Sequence, residues 1–278
     1  MSWLFLLLAS FAWVLFDICR KRLVETHHPL FVGLIFSLMT LPIYLTYWFV
    51  SDAQFPKESS YFGLASISGV LAAIGAVSFI AALGRGRFSL LVPVLSLTPL
   101  VAAIINALLF SVVLSWLAYL LIAVCVFATF QLLGNGFRVT EPGAGLMLLT
   151  TLSWGACICI DQYALQFTHV SFHALWVNIV MVCILSIALL FNRTAVEFPK
   201  VYNRFWLFGL IGFSAAVLLQ FNALRFLDAS TVEAVKRAIS ILSAMLIGRI
   251  IFGEHLARHH YFFGVVIILS VLAFSQLN

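Results

Sequence analysis

Charge is scarce in this chain. Only 9% of its 278 residues are Asp, Glu, Lys or Arg, against 64% that are hydrophobic. That leaves too little polar surface to coat a water-soluble globule. Extended polar stretches are missing too, because one apolar run follows another from end to end. There is no GxxxxGK[ST] loop and no GxGxxG opening a soluble α/β unit, which argues against an ATP-driven pump on this chain. No CxxC pair occurs. The five cysteines (Cys19, Cys125, Cys157, Cys159, Cys183) lie in or beside apolar runs and are expected as free, packed thiols. The first run lacks a basic leader and ends in Arg20-Lys21-Arg22 rather than a small-residue cleavage site, so it reads as a mature helix. Deep polar residues form no Ser/His, Cys/His or paired-carboxylate constellation, so no enzymatic activity and no cofactor are expected. His169 and His173, and His255 and His259, have helix-face metal spacing but no evident third ligand, and they read as interfacial polar residues at the ends of runs. The net charge of +5 does not imply nucleic acid, because the basic residues gather at run ends, where they anchor and orient helices.

What the chain does have is apolar length and repetition. Its mean hydropathy is +1.14. About 20 consecutive apolar residues cross a bilayer, and runs of that order lie at 3–19, 30–50, 61–83, 88–110, 116–133, 144–166, 172–191, 205–226, 229–251 and 260–277. The expectation is an all-α integral membrane protein of ten transmembrane helices, multi-pass in the inner (cytoplasmic) membrane, with the lipid bilayer as its first partner. The runs repeat at an offset of 141 residues: Trp13 matches Trp154, His28 and Phe31 match His169 and Phe172, Ala82-Leu83 matches Ala223-Leu224, and Ser89 matches Ser230. Residues 1–137 and 142–278 therefore read as two copies of a five-helix unit. Five is odd, so the second copy enters the membrane from the opposite side and the repeats are inverted. Many secondary transporters are built this way, with the substrate near the midplane between the halves. Lys and Arg crowd the odd-numbered loops, while the even-numbered loops hold only Lys57 and Arg225; the positive-inside rule then puts both termini outside.

A charged side chain at the centre of a membrane helix costs roughly 2.5–3.5 kcal/mol on insertion scales, so it marks a functional site by default. Lys236 and Arg237 stand out, about a third of the way into the ninth run. Lys236 shares a helical face with Ser240, and Glu233 with Arg237. One reading is a cationic subsite for a carboxylate or phosphate; the other is that Glu233 neutralises the cations within one helix and locks structure. Asp17, close to Arg20 and Lys21, reads first as an interfacial self-paired cluster and second as a proton site. Asp161, seven residues after Trp154 on the same face, is a further proton candidate, with Glu233 the third. By the offset, Asp161 matches Arg20 and not Asp17. Trp13 and Trp154 lie well inside their runs and could wall an aromatic cavity or simply pack the core. Gln220 is the favoured cavity residue among the deep amides, ahead of Asn106, Asn178 and Asn222. Pro93 and Pro99 allow the fourth run to bend; its repeat mate is the ninth, which places the site between those two runs. Asn192-Arg-Thr194 is a glycosylation sequon.

The stretch Val235-Lys-Arg-Ala-Ile-Ser-Ile-Leu-Ser-Ala-Met-Leu-Ile-Gly248, then Phe252-Gly-Glu-His-Leu256 and Gly264, resembles the second repeat of the drug/metabolite transporter superfamily, EamA type. In the first half Pro93 and Thr98-Pro99 follow the pattern, but Val112 and Val113 stand where Gly253 and Glu254 have their equivalents. Lys236-Arg237 is also similar to a basic pair of the organic-phosphate and nucleotide-sugar branches, where it implies contact with an anionic substrate. The resemblance implies a ten-helix permease for a small-molecule substrate, with cytoplasmic termini and a homodimer as an open option. The rival expectation is a non-transporting membrane subunit or a lipid-carrier flippase-like protein.

Overall fold

The computed structural model describes residues 2–110, 115–135, 138–191 and 203–276. Its helices are α1 (Ser2–Val24), α2 (Pro29–Val50), α3 (Ser60–Leu83), α4 (Phe88–Leu91), a 3₁₀ segment (Val92–Leu97), α5 (Thr98–Phe110), α6 (Trp116–Leu133), α7 (Ala144–Ala164), α8 (Val170–Phe191), α9 (Arg204–Leu224), α10 (Ala229–Ile250) and α11 (Arg258–Ser275). A two-residue antiparallel ladder, β1 (Gly134–Asn135) with β2 (Arg138–Val139), joins the halves. Among the described residues, eight stretches are long and apolar enough to cross a membrane: α1, α2, α3, Phe88–Ile105, α6, α7, α8 and α9. α10 has the length but carries Glu233, Lys236, Arg237 and Arg249, and α11 offers a shorter apolar stretch, Arg258–Phe274. The sequon at Asn192, and Val112 and Val113, lie outside the described residues, as does the side chain of Asn106.

Local chemistry sets the boundaries. Pro29, whose missing N–H costs nothing in a first turn, opens α2, and His28 Nδ1 accepts from Leu30 N (3.3 Å). Asn203 caps α9 in the same way, accepting from Phe205 N (3.0 Å). The prolines break the fourth run as their chemistry requires: Pro93 falls in the 3₁₀ segment and Pro99 in the first turn of α5. α1 runs to Val24, five residues beyond the expected end at 19, so Asp17 and Arg20 lie inside the helix rather than at its edge.

Packing is reciprocal between the halves. α1 lies against α9 and α3 against α7, while α2 meets α8, α6 meets α11, and α10 meets α4, the 3₁₀ segment and α5. Exchanging each helix for its repeat mate leaves this set of pairs unchanged. Residues 141 apart even touch: Asn178 Nδ2 donates to Ser37 O (2.8 Å), and the rings of Trp13 and Trp154 lie 6.3 Å apart. Small residues permit the close approaches. Gly155 faces Val101, where a Cβ would sit 2.7 Å away, and Gly75 leaves the room that the Trp154 ring fills.

One end of the assembly is tied shut by polar contacts. The Glu254 carboxylate accepts from Phe88 N (2.7 Å), Ser89 N (2.9 Å) and Ser89 Oγ, fastening the α10–α11 loop to the start of α4. Glu141 accepts from Arg87 N (2.6 Å) and its guanidinium (2.7 Å), and Lys21 Nζ donates to Leu83 O (2.6 Å) and Gly86 O (2.9 Å). The Gly-Glu of the sequence thus serves as a clasp between the halves.

Gly143 opens α7 at φ +87°, and a Cβ there would stand 2.9 Å from Ala82 O. Gly143→Ala should therefore cost at least the roughly 1–2 kcal/mol of a left-handed L-residue. Thermal unfolding of the purified protein checks this: a melting temperature equal to that of the parent would show that the turn relaxes freely.

Candidate functional site

A cavity with about 110 Å³ open to the centre of a water molecule lies among α1, α2, α3, α7, α8, α9 and α10. This exceeds by several times the room one water needs. Trp13, Trp154, Gln220, Lys236, Arg237, Asp17, Asp161 and Glu233 all line it, as does Arg20. The structure thus collects in one place candidates that the sequence scatters over more than two hundred residues.

The geometry is built on paired charge. On α10, Glu233 sits between both cations: it pairs with Lys236 Nζ and accepts from Arg237 Nε (2.9 Å) and Nη2 (2.7 Å). Lys236 Nζ also donates to Gln220 Oε1 (2.6 Å), and the same oxygen accepts from Trp13 Nε1 (2.9 Å). The locking reading of Glu233 therefore holds geometrically, and one carboxylate serves two cations. The indoles face those cations. Lys236 Nζ is 5.5 Å from the Trp13 ring and Arg237 Cζ is 5.7 Å from that of Trp154, within cation–π range.

Arg20 is the residue that sequence reasoning missed. It is 2% exposed, pairs with Asp17, and has Phe16 and Phe79 stacked at 4.2 Å from its Cζ. The expected interfacial cluster is a real pair but a buried one, because α1 continues beyond it. A signal was present: Arg20 is the repeat mate of Asp161 and sits seven residues after Trp13, as Asp161 does after Trp154. Its burial also removes it from the loop charges that oriented the termini.

Asp161 has different neighbours. It accepts from Ser68 Oγ and Cys157 Sγ (3.4 Å), and pairs with His173 Nε2 (3.1 Å). His173 is 0% exposed, which corrects its reading as an interfacial residue. His169, at the α7–α8 turn, bonds Ser171 instead (2.8 Å), and burial, then Arg225, holds its imidazole below the ordinary value. Among the described residues no group of three or more His, Cys, Asp or Glu is placed to hold a metal ion.

Other expectations shift. Ser240 is buried, but it does not line the cavity, and its hydroxyl finds no partner among the described residues. None of residues 88–105 lines the cavity either, so the site does not lie between the fourth and ninth runs. That segment packs Leu90 and Leu100 with Ala234, Ala238 and Ile241 of α10, supporting it from behind. Pro93 and Pro99 lie in segments that pack against both α7 and α10, two helices that do line the cavity. Asn178 reaches Ser37 on α2, and Asn222 bonds its own helix at Leu218 O (2.8 Å).

Glu233→Gln would leave two buried cations without their carboxylate. Breaking a buried ion pair this way costs about 3–5 kcal/mol. Glu233→Gln should melt well below the parent, and adding Lys236→Met should recover part of the loss. Equal melting of Glu233→Gln and the parent would mean that water or lipid, not Glu233, balances the cations.

Among proteins of curated function, none matches the chain in sequence. A solved structure described only as the crystal structure of a protein superposes with a TM-score of 0.69 at 11% identity, over 99% of this chain and 95% of the other, which speaks for the fold alone. The profile of the EamA-like transporter family matches residues 1–134 and again 141–276, almost the whole length. With two such repeats around one cavity of paired charge, the chain is a multi-pass membrane protein that belongs to the EamA-like transporter family, of the drug/metabolite type.

Proposed function

We propose that this protein is a secondary transporter that moves a small organic metabolite bearing an anionic group across the cytoplasmic membrane. Two inverted five-helix repeats, residues 1–137 and 142–278, alternate in exposing one cavity between them. On this reading α10 and α11 complete the ten spans. The observation that carries the proposal is the cavity itself: it is bounded by both halves, and one carboxylate there holds two cations, Lys236 and Arg237. An arriving carboxylate or phosphate can take over one of them without leaving Glu233 bare. Arg237 offers a fork of donors and Lys236 a point charge. Trp13 and Trp154 supply flat walls for the apolar body of the substrate. Asp17 is held by Arg20, which leaves Asp161 as the acid free of a permanent cation. The clasp at Glu254 closes one side, and the prolines near α10 give the segment behind it room to bend.

The test is thermal stabilisation of purified protein by amino acids, organic acids, organic phosphates, nucleotide sugars and lipophilic cations. It is run on the parent and on Lys236→Gln, which leaves Glu233 its arginine. A specific ligand raises the melting temperature by mass action. Anionic compounds should stabilise the parent, with affinity at least about tenfold weaker in Lys236→Gln, a difference of roughly 1.4 kcal/mol. Stabilisation by cations only, or equal response of the variant, would remove the basic pair from the site.

A further inference from the structure

The three carboxylates of the cavity are not equivalent. Asp17 is paired with Arg20, and Glu233 with Lys236 and Arg237. Asp161 has no lysine or arginine as its partner among the described residues; it accepts from Ser68 and Cys157 and pairs with the imidazole of His173. Imidazole is the side chain whose charge changes around neutrality.

The hydrogen bonds of His173 suit both of its charge states. Nε2 lies 3.1 Å from Asp161 Oδ1, and Nδ1 lies 3.1 Å from the Tyr61 hydroxyl. In the neutral ring, Nε2–H donates to Asp161 and Nδ1 accepts from Tyr61. In the charged ring both nitrogens donate, and the Tyr61 oxygen accepts. A hydroxyl can do either by rotating, so both ring nitrogens keep a partner in either charge state. Such two-state satisfaction is what a reversible buried proton site needs, since an orphaned polar group costs roughly 1–3 kcal/mol.

Hydroxyl, thiol and aromatic groups surround the pair on its neighbouring helices. α3 presents Tyr61 and Ser68, α7 presents Asp161 and Cys157, and α9 presents the Phe221 ring at 4.9 Å from His173. Across the cavity stand Glu233 and Lys236 of α10, already paired, and Tyr44 of α2. On α8's own leading turn, His169 is engaged with Ser171.

We propose that Asp161 and His173, with Tyr61 as the pivoting hydroxyl, form a proton-binding site that sets the charge of the cavity. Without the proton, three acids face three bases among the lining residues and the cavity is neutral. With it on His173, directly behind the lining Asp161, the lining and its imidazole together carry one positive formal charge. An entering anionic group then restores neutrality only if the proton is present. The site therefore favours uptake of a proton and an anion together, which deepens the transporter reading above and rests on it.

The experiment counts protons. Protein in lipid nanodiscs is titrated in weak buffer over roughly pH 8 to 5, the range of imidazole, with a pH-indicating dye. The parent should bind about one more proton per chain than His173→Gln, and Asp161→Asn should lose the same proton from that range, since the imidazolium has lost its counter-charge. If one variant does not fold, the other still decides. Identical titration of the parent and the folded variants overturns the site. A second readout is the pH dependence of stabilisation by an anionic compound of the panel above: affinity should rise about tenfold per pH unit on acidification in the parent and stay flat in His173→Gln. A flat response in the parent overturns the coupling. The proton count needs no compound to be found, so failure of the substrate reading and failure of the proton site are separate results.

Discussion

Much of this molecule depends on how Glu233 satisfies two cations at once. Lys236, Arg237 and Glu233 share one turn of α10 inside a protein with little charge. Isolated, each ion would cost several kcal/mol in a low-dielectric interior. Grouped, they carry a single surplus charge, which Gln220 and the faces of Trp13 and Trp154 solvate further. The aromatic wall is thus part of the electrostatics. It replaces water around the cations with oriented quadrupoles that need not be displaced when the cavity empties.

The same logic explains why the supporting shell is so apolar and so close. α10 is held from behind by the α4–α5 segment through Leu90, Leu100 and the small side chains of Ala234 and Ala238. Small residues elsewhere bring backbones together, leaving the indole of Trp154 seated where Gly75 has no side chain. At one end, the carboxylates of Glu254 and Glu141 bind backbone N–H groups of the α3–α4 turn. Charge at that end closes the protein, and charge in the middle furnishes the cavity.

Much of this was legible in the sequence. Apolar length and the 141-residue offset placed the helical segments to within a few residues, and the rarity of charge singled out Lys236, Arg237, Asp161 and Glu233. What periodicity could not convey was which helices meet across the molecule. Asp17 and Arg20 looked interfacial because hydropathy ends a run at the first charges, whereas the helix continues and buries both. His173 looked like a helix-end residue because its partners, Tyr61 on α3 and Asp161 on α7, are distant in the chain. The prolines pointed to the fourth run as a cavity wall, but a bend reveals nothing about which way it faces.

Trp13 meets Trp154, and Asn178 meets Ser37, so positions 141 apart in the chain touch where the halves face each other. In the cavity beside these contacts, the offset-matched positions 20 and 161 hold an arginine and an aspartate. Two separate copies of one subunit would have to place the same side chain on both sides, two arginines or two aspartates facing one space. Carrying both units on a single chain lifts that restriction. The halves can keep a common framework and yet differentiate, one lending a guanidinium and the other a carboxylate paired with an imidazole.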